Sequence, residues 1–409
     1  MPPSADSAAV TRLRSPEEIR ARCREILDQA DAGALAHFHL RRERLDGVAD
    51  YVLATIEERY PDRDIPFHSR WRHFQVGGID RWEQLSRKQV GENLARARID
   101  LAVTSVLLDA GAGDQWRYLE GDSGDLYSRS EGLAVASFHM FAAGAFSSHA
   151  DTPLQADAEG LAALTPEALE EAFQVRGDNP LVGAAGRTAL LQSLGRALPE
   201  YPELFGENPA RVGNLYDYLA TRAIDNRLPA AEIFAAVLRG LAPIWPGRVQ
   251  LGGENLGDVW HHGAIRRNDP SNGLVPFHKL SQWLTYSLVE PLEEAGLRVI
   301  ELDTLTGLPE YRNGGLFVDL GVLELQHPEQ ANRSHDAGSE LVVEWRALTL
   351  ALLDELAALI RGRLNMDAER LPLIRILEGG TWAAGRKAAS ERRPGGGPPI
   401  VVSSDGTVF

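Results

Sequence analysis

A single cysteine, Cys23, stands among 409 residues, so no intrachain disulfide is available to the fold. Its place in Arg22-Cys23-Arg24, on an expected helix, suits a packing residue or a surface thiol; a nucleophile would need a nearby base. Positive charge is also short: 42 Lys and Arg face 58 Asp and Glu, a balance of −16. Affinity for polyphosphate comes largely from cations that neutralise phosphates, so this balance argues against a nucleic-acid partner and leaves room only for a local basic pocket. No run approaches the roughly 20 apolar residues of a membrane span. The opening Met-Pro-Pro-Ser-Ala-Asp-Ser has no basic segment leading into an apolar one. A soluble cytoplasmic protein with no membrane partner is expected. Metal signatures are missing as well: there is no His-Glu-x-x-His and no cysteine pair, and adjacent His261 and His262 point apart on a helix or strand. Neither metal nor cofactor is expected.

What the chain has in quantity is apolar surface, 44% of its residues, which a disordered chain would lack. At roughly 150 residues per domain the length allows two or three lobes, or one large core. Ser15-Pro16-Glu17-Glu18 reads as an N-cap, a proline at the first helical position and an acid three residues on. A helix should start there, with Ile19, Cys23, Ile26 and Leu27 on its apolar face. Thr165-Pro166-Glu167 repeats the signature. Helices are further expected over 45–56, 89–108, 187–198, 212–221, 230–241, 280–295 and 339–365, with Arg96 and Asp100 spaced as an i, i+4 ion pair. Strand signals are confined to 298–302 and 400–402. The expected fold is mostly α and multi-helical, with minor β elements. Its expected division is an N-terminal helical part over 1–150, an exposed connection to about residue 166, a second helical part over 167–391, and a flexible link and tail over 392–409.

Sites tend to lie on loops held by a scaffold, and several stretches combine turn residues with charged and aromatic side chains. Between Ile65 and Trp82, His68, Arg70, Arg72 and His73 alternate with Phe67, Trp71 and Phe74. Guanidinium forks suit phosphate and rings suit a planar group; the plainer reading is aromatic packing with charge at its rim. Glu120-Gly121-Asp122-Ser123-Gly124 leads to Arg129 and Glu131 at a helix start, a place for an anion or simply a cap. The richest stretch joins Phe277–Ser287 to Leu305–Gly315. There Lys279, Gln282 and Tyr286 share a helix face at i, i+3 and i+7, and Glu290 continues it. Glu310, Tyr311 and Arg312 follow a proline turn, either as a working carboxylate with its neighbours or as an ion pair that caps a helix.

Five strings carry a resemblance. Pro66-Phe67-His68-Ser69-Arg70-Trp71-Arg72-His73-Phe74, Trp283-Leu284-Thr285-Tyr286-Ser287-Leu288, Leu308-Pro309-Glu310-Tyr311-Arg312-Asn313-Gly314-Gly315, Glu344-Trp345-Arg346-Ala347-Leu348 and Leu377-Glu378-Gly379-Gly380-Thr381-Trp382-Ala383-Ala384-Gly385-Arg386 resemble the uracil-catabolism proteins of fungi and bacteria, a domain-of-unknown-function family (DUF1688). The similarity spans nearly the whole chain. It implies a place in a route that opens the uracil ring without a reductant and passes through ribosylurea. A second similarity covers the C-terminal half: Phe277–Leu284 and Thr306–Leu323 resemble strings of the queuosine-salvage nucleotide glycosidases, helical proteins related in fold to DNA glycosylases. Lys279, Gln282, Tyr311 and Arg312 match identically and Glu310 replaces an aspartate. That family carries a further carboxylate near Ser287, which leaves the identity of the catalytic acid open.

These resemblances imply a DNA-glycosylase-like helical core and an N-ribosyl hydrolase. Its partner would be a small-molecule nucleoside or nucleotide derivative, a ribosylurea in 5-phosphorylated form. Such cleavage passes through a ribosyl cation, which a carboxylate facing the anomeric carbon stabilises while it takes a proton from water. Glu310 is the expected catalytic residue. Arg312 and Lys279, with Arg70 or Arg72, would hold the phosphate; Gln282 and Tyr286 would bond the sugar or leaving group beside Tyr311. The N-terminal half would close over the site with His68, Arg70 and Trp71. Two rivals stand. A noncatalytic partner or sensor would lock its carboxylate in salt bridges, turned from the sugar. A uracil phosphoribosyltransferase would need two adjacent acids and a Thr/Ser-Gly turn after an apolar strand, a run this sequence lacks.

Overall fold

The computed structural model describes residues 4–86, 92–245 and 248–403. Helices begin where side chains satisfy otherwise free amides. Ser15 caps Pro16–Asp31 by accepting the Glu18 amide at 3.2 Å, and Thr165 caps Pro166–Ala172 by accepting the Ala168 amide at 3.2 Å. Glu18 pairs along the helix with Arg22 instead of returning to Ser15. The other expected helices form as Leu45–Arg59, Glu92–Leu107, Ala184–Ala197, Leu215–Arg222, Ala230–Leu241, Lys279–Glu294 and Glu340–Leu364; the expectation over 89–91 falls outside the described residues. Arg298–Ile300 pairs in parallel with Arg227–Pro229, and Val401–Ser403 in parallel with Ser334–Asp336. Every described sheet is two-stranded, so the protein is mostly α. Among the described residues, no helix is long and apolar enough to cross a membrane.

Most apolar faces meet in a main core that runs through both halves of the chain, and a smaller cluster packs Val10 and Leu13 against Leu256, Val259 and Leu274. Pro16–Asp31 lies along Glu340–Leu364, and Glu92–Leu107 lies along Lys279–Glu294. Cys23 is fully buried there as a packing residue, and burial pushes its thiol far up. Arg96 and Asp100 do not pair with each other as their spacing suggested. Arg96 grips Asp217 at 2.6 and 2.9 Å, while Asp100, fully buried and pushed up to about 6 by that burial, bonds Arg211 at 2.7 Å. Spacing on one helix puts two groups within reach; the better-oriented partners here come from other helices.

The last described residues differ from expectation. Composition predicts a flexible link and tail after Arg392, yet over the described residues 393–403 Arg393 clasps Asp319 at 2.6 and 2.7 Å, Ile400 is fully buried, and 401–403 form a strand. Its neighbour, the helix Trp382–Arg392, presses on Tyr311–Asp319 so closely that a Cβ at Gly385 would collide with the Arg312 carbonyl. Glycine is needed there for the approach of two backbones.

Candidate active site

The helix Lys279–Glu294 starts after His278, which takes a left-handed φ of 49°. Its first amide, Lys279 N–H, donates to Asp258 Oδ2 at 2.9 Å, and Asp258 is held by both arms of Arg346 at 2.7 and 2.8 Å. Burial opposes ionisation of Asp258, but the Arg346 guanidinium, Trp260 and the Lys279 amide outweigh it and hold the carboxyl well below the usual range. Arg346 Nε also reaches the Pro309 carbonyl at 3.4 Å. One buried guanidinium therefore fixes both the helix bearing Lys279 and the turn bearing Glu310.

Glu310 caps Tyr311–Asp319. Its Oε2 accepts the Arg312 amide at 2.6 Å and its Oε1 the Asn313 amide at 2.7 Å, while Asn313 Nδ2 ties back to the Leu308 carbonyl at 3.0 Å. Burial pushes the Glu310 carboxyl above its ordinary value; the two amides, Lys279 and Arg312 pull it part of the way back. Burial likewise lowers the Lys279 ammonium, with Glu310 the main group opposing it. Among the described residues, neither Glu310 nor Lys279 is engaged in a salt bridge.

His68 sits opposite aromatic rings, its centroid 4.7 Å from Trp283 and 6.0 Å from Trp382. Its Nδ1 lies 2.8 Å from Glu378 Oε2. Glu378 is carried on a π-helical turn, Leu377–Thr381, where a Cβ at Gly380 would strike Val52; such turns redirect side chains locally. Burial opposes ionisation of Glu378, but His68 and Arg59 draw its carboxyl down to about 2. Arg70 is fully buried: it binds Asp109 at 2.9 Å, Ser105 at 2.8 Å and the Ser130 carbonyl at 3.2 Å, and lies 3.3 Å from His73 Nδ1. Burial, then Arg70, lowers His73 to about 4. Trp71 donates to the Ser287 carbonyl at 2.9 Å and the Arg70 amide donates to Ser287 Oγ at 3.0 Å. Ser287 thus docks the 68–74 segment onto the Lys279 helix.

These elements enclose a cavity of about 370 Å³. Of the residues expected at a site, it brings together His68, Lys279, Glu310, Tyr311 and Arg312. Arg70 and Trp71 stand behind its wall, and Arg72 turns away to pair with Glu290. Gln282 and Tyr286 lie below the floor, where Tyr286 donates to the Thr306 carbonyl at 2.7 Å and Gln282 Oε1 accepts the Thr306 amide at 3.4 Å. They support the loop under Glu310. Asp109, Trp283, Trp382 and the glutamate behind His68 are not among the residues expected from sequence, and His73 is named there only as part of its charged and aromatic stretch. Glu378, Trp382 and Trp283 were in the quoted strings without a role, and Asp109, at a helix end, gave no signal.

Arg129 and Arg312 complete the rim by donating to the carbonyls of Gly395 and Gly396 at 3.2 and 2.8 Å, which seats the C-terminal segment over the cavity. The Glu120 loop is structural: Glu120 is taken by Arg81, by His139 at 2.7 Å and by Ser123 at 2.9 Å. His262 faces Glu344 at 3.4 Å, and among the described residues no cluster of His, Cys, Asp and Glu suits a metal. The cavity joins Glu310 and Lys279, neither in a salt bridge among the described residues, with Asp109, which Arg70 holds, Asp114, two guanidiniums, two imidazoles and two indoles. That set can hold an anionic, hydroxylated small molecule with a planar group and move protons on it.

Residues 12–409 match the family described as "Protein of unknown function (DUF1688)". Protein urg3 of Schizosaccharomyces pombe is 41% identical over 410 residues, which cover 98% of this chain and 99% of that protein. Uracil catabolism protein 4 of Lachancea kluyveri is 37% identical over 437 residues, covering 98% of this chain and 99% of that protein. With a match of this extent, the chain belongs to the DUF1688 family.

Proposed function

We propose that this chain acts in uracil catabolism as an N-ribosyl hydrolase, cleaving the glycosidic bond of a ribosylurea-type intermediate in its 5-phosphorylated form. The observation that carries the reading is Glu310: a cavity-wall carboxylate with both oxygens on helix amides and no salt bridge among the described residues. A sensor that merely binds would be expected to lock this group against a cation. The relative named as a uracil catabolism protein supports the pathway.

As the C1–N bond lengthens, positive charge builds on the sugar, and a carboxylate already oriented by amides stabilises it without reorganisation. Water adds to C1 and gives its proton to Glu310; the products are ribose 5-phosphate and urea. Lys279, Arg129 and Arg312 supply the positive charge for a phosphate, and Trp283 and Trp382 supply flat apolar walls for the planar ureido group. The test is incubation with ribosylurea and with its 5-phosphate. Glu310→Gln should keep the fold and lose at least about 100-fold in turnover. A fully active variant would remove Glu310 from the mechanism.

A further inference from the structure

Resting on the hydrolase reading, we infer that His68, held by Glu378, is the acid that protonates the departing nitrogen. A ureido nitrogen is a poor anion, so cleavage needs a proton delivered as the bond breaks. Glu310 is placed for the other half of the reaction, because its oxygens are bound by amides that favour the charged form. His68 has the complementary arrangement. Its Nδ1 is taken by Glu378 at 2.8 Å, and its Nε2, without a hydrogen-bond partner among the described residues and not sealed off, is left to the cavity that the ring lines. A buried carboxylate on one ring nitrogen fixes the ring and its tautomer and stabilises the imidazolium, the role an aspartate plays behind a catalytic histidine. Arg59 at 3.4 Å and Tyr60 at 3.4 Å hold Glu378 from the opposite side, so the dyad is braced from outside the cavity. Trp283 and Trp382 flank the ring and face the same space, which sets the planar leaving group beside Nε2.

In the step, the C1–N bond breaks and its electron pair goes to nitrogen, which takes the proton from His68 Nε2. The water oxygen joins C1 and its proton passes to Glu310. Return of that proton through solvent to His68 restores both groups, with no other reactant. Glu378 is a positioning residue.

The experiment compares two leaving groups on the same sugar 5-phosphate: urea, which needs the proton, and 4-nitrophenolate, which leaves as an anion. His68→Ala should lower kcat/KM on the ribosylurea by about 100-fold or more and on the nitrophenyl riboside by less than about 10-fold. Glu378→Gln should show the same split in smaller measure, and Glu310→Gln should lose both. His68→Gln, a polar side chain nearer to histidine in size that cannot act as an acid, is measured alongside in case the alanine variant fails to fold. Equal losses on the two substrates, or no loss, would overturn the inference and leave the hydrolase intact. Wild-type turnover of the nitrophenyl substrate alone would also overturn it, since a working acid would then be lacking. Wild-type failure on both would overturn the hydrolase reading and this inference with it.

Discussion

A carboxylate removed from water and left without a cation is costly unless it is hydrogen-bonded, and two carboxylates here answer that cost in different ways. Glu310 is bonded by two amides yet still raised by burial. A reaction that needs its charged form should therefore lose kcat/KM on the acid side at a higher pH than an ordinary glutamate would dictate; a pH profile with an acid limb in the ordinary range would contradict this. Glu120 shows the other answer. Burial opposes its ionisation, but Arg81, His139 and Ser123 bring it down to about 2. Because the folded value lies below the unfolded one, its contribution is present above the unfolded value of about 4.3 and fades as pH falls toward 2. Glu120→Gln should cost about 3 kcal/mol in urea unfolding at pH 7, by stranding Arg81. The gap from wild type should narrow as pH drops below 4; a gap independent of pH would refute the assignment.

At the scale of elements, the site hangs on short pieces held by long ones. The buried helix Glu340–Leu364 supplies Arg346, which anchors two active-site elements at once. The segment after Arg392 closes the rim. A chain ending at Arg392 should keep its helical content and raise KM by at least about 10-fold, a loss of about 1.4 kcal/mol in binding; an unchanged KM would show that the segment is a bystander. Ile400→Ala should cost about 2–4 kcal/mol in unfolding. The helices were legible because caps and periodicity are local. Glu310 is marked in sequence by the proline turn that opens a helix, and Lys279 by a face shared with Gln282 and Tyr286, of which the cavity takes only Lys279. Arg70 was not: alternating Arg and Trp in a five-residue helix reads alike whichever face is inward, and only the packing of Asp109 and Ser105 sends Arg70 inside. Nor was the C-terminal segment, since Gly and Pro mark irregular backbone and say nothing about burial.

Across the whole molecule, the main core carries both halves, and the cavity draws His68 and Asp109 from the first and Lys279 and Glu310 from the second, with Glu378 of the second half behind His68. The chain's balance of −16 surrounds a cavity whose charged lining is even, Lys279, Arg129 and Arg312 against Asp109, Asp114 and Glu310, so under the proposed reading a phosphate would be held by individual cations rather than by an overall positive field. The most direct measurement is the stoichiometry of products from ribosylurea 5-phosphate with the purified full chain, read by mass spectrometry. Intact urea and ribose 5-phosphate should appear in equal amounts, and neither should appear with Glu310→Gln. Tight binding with no release, or ammonia and carbon dioxide in place of urea, would contradict cleavage at the glycosidic bond.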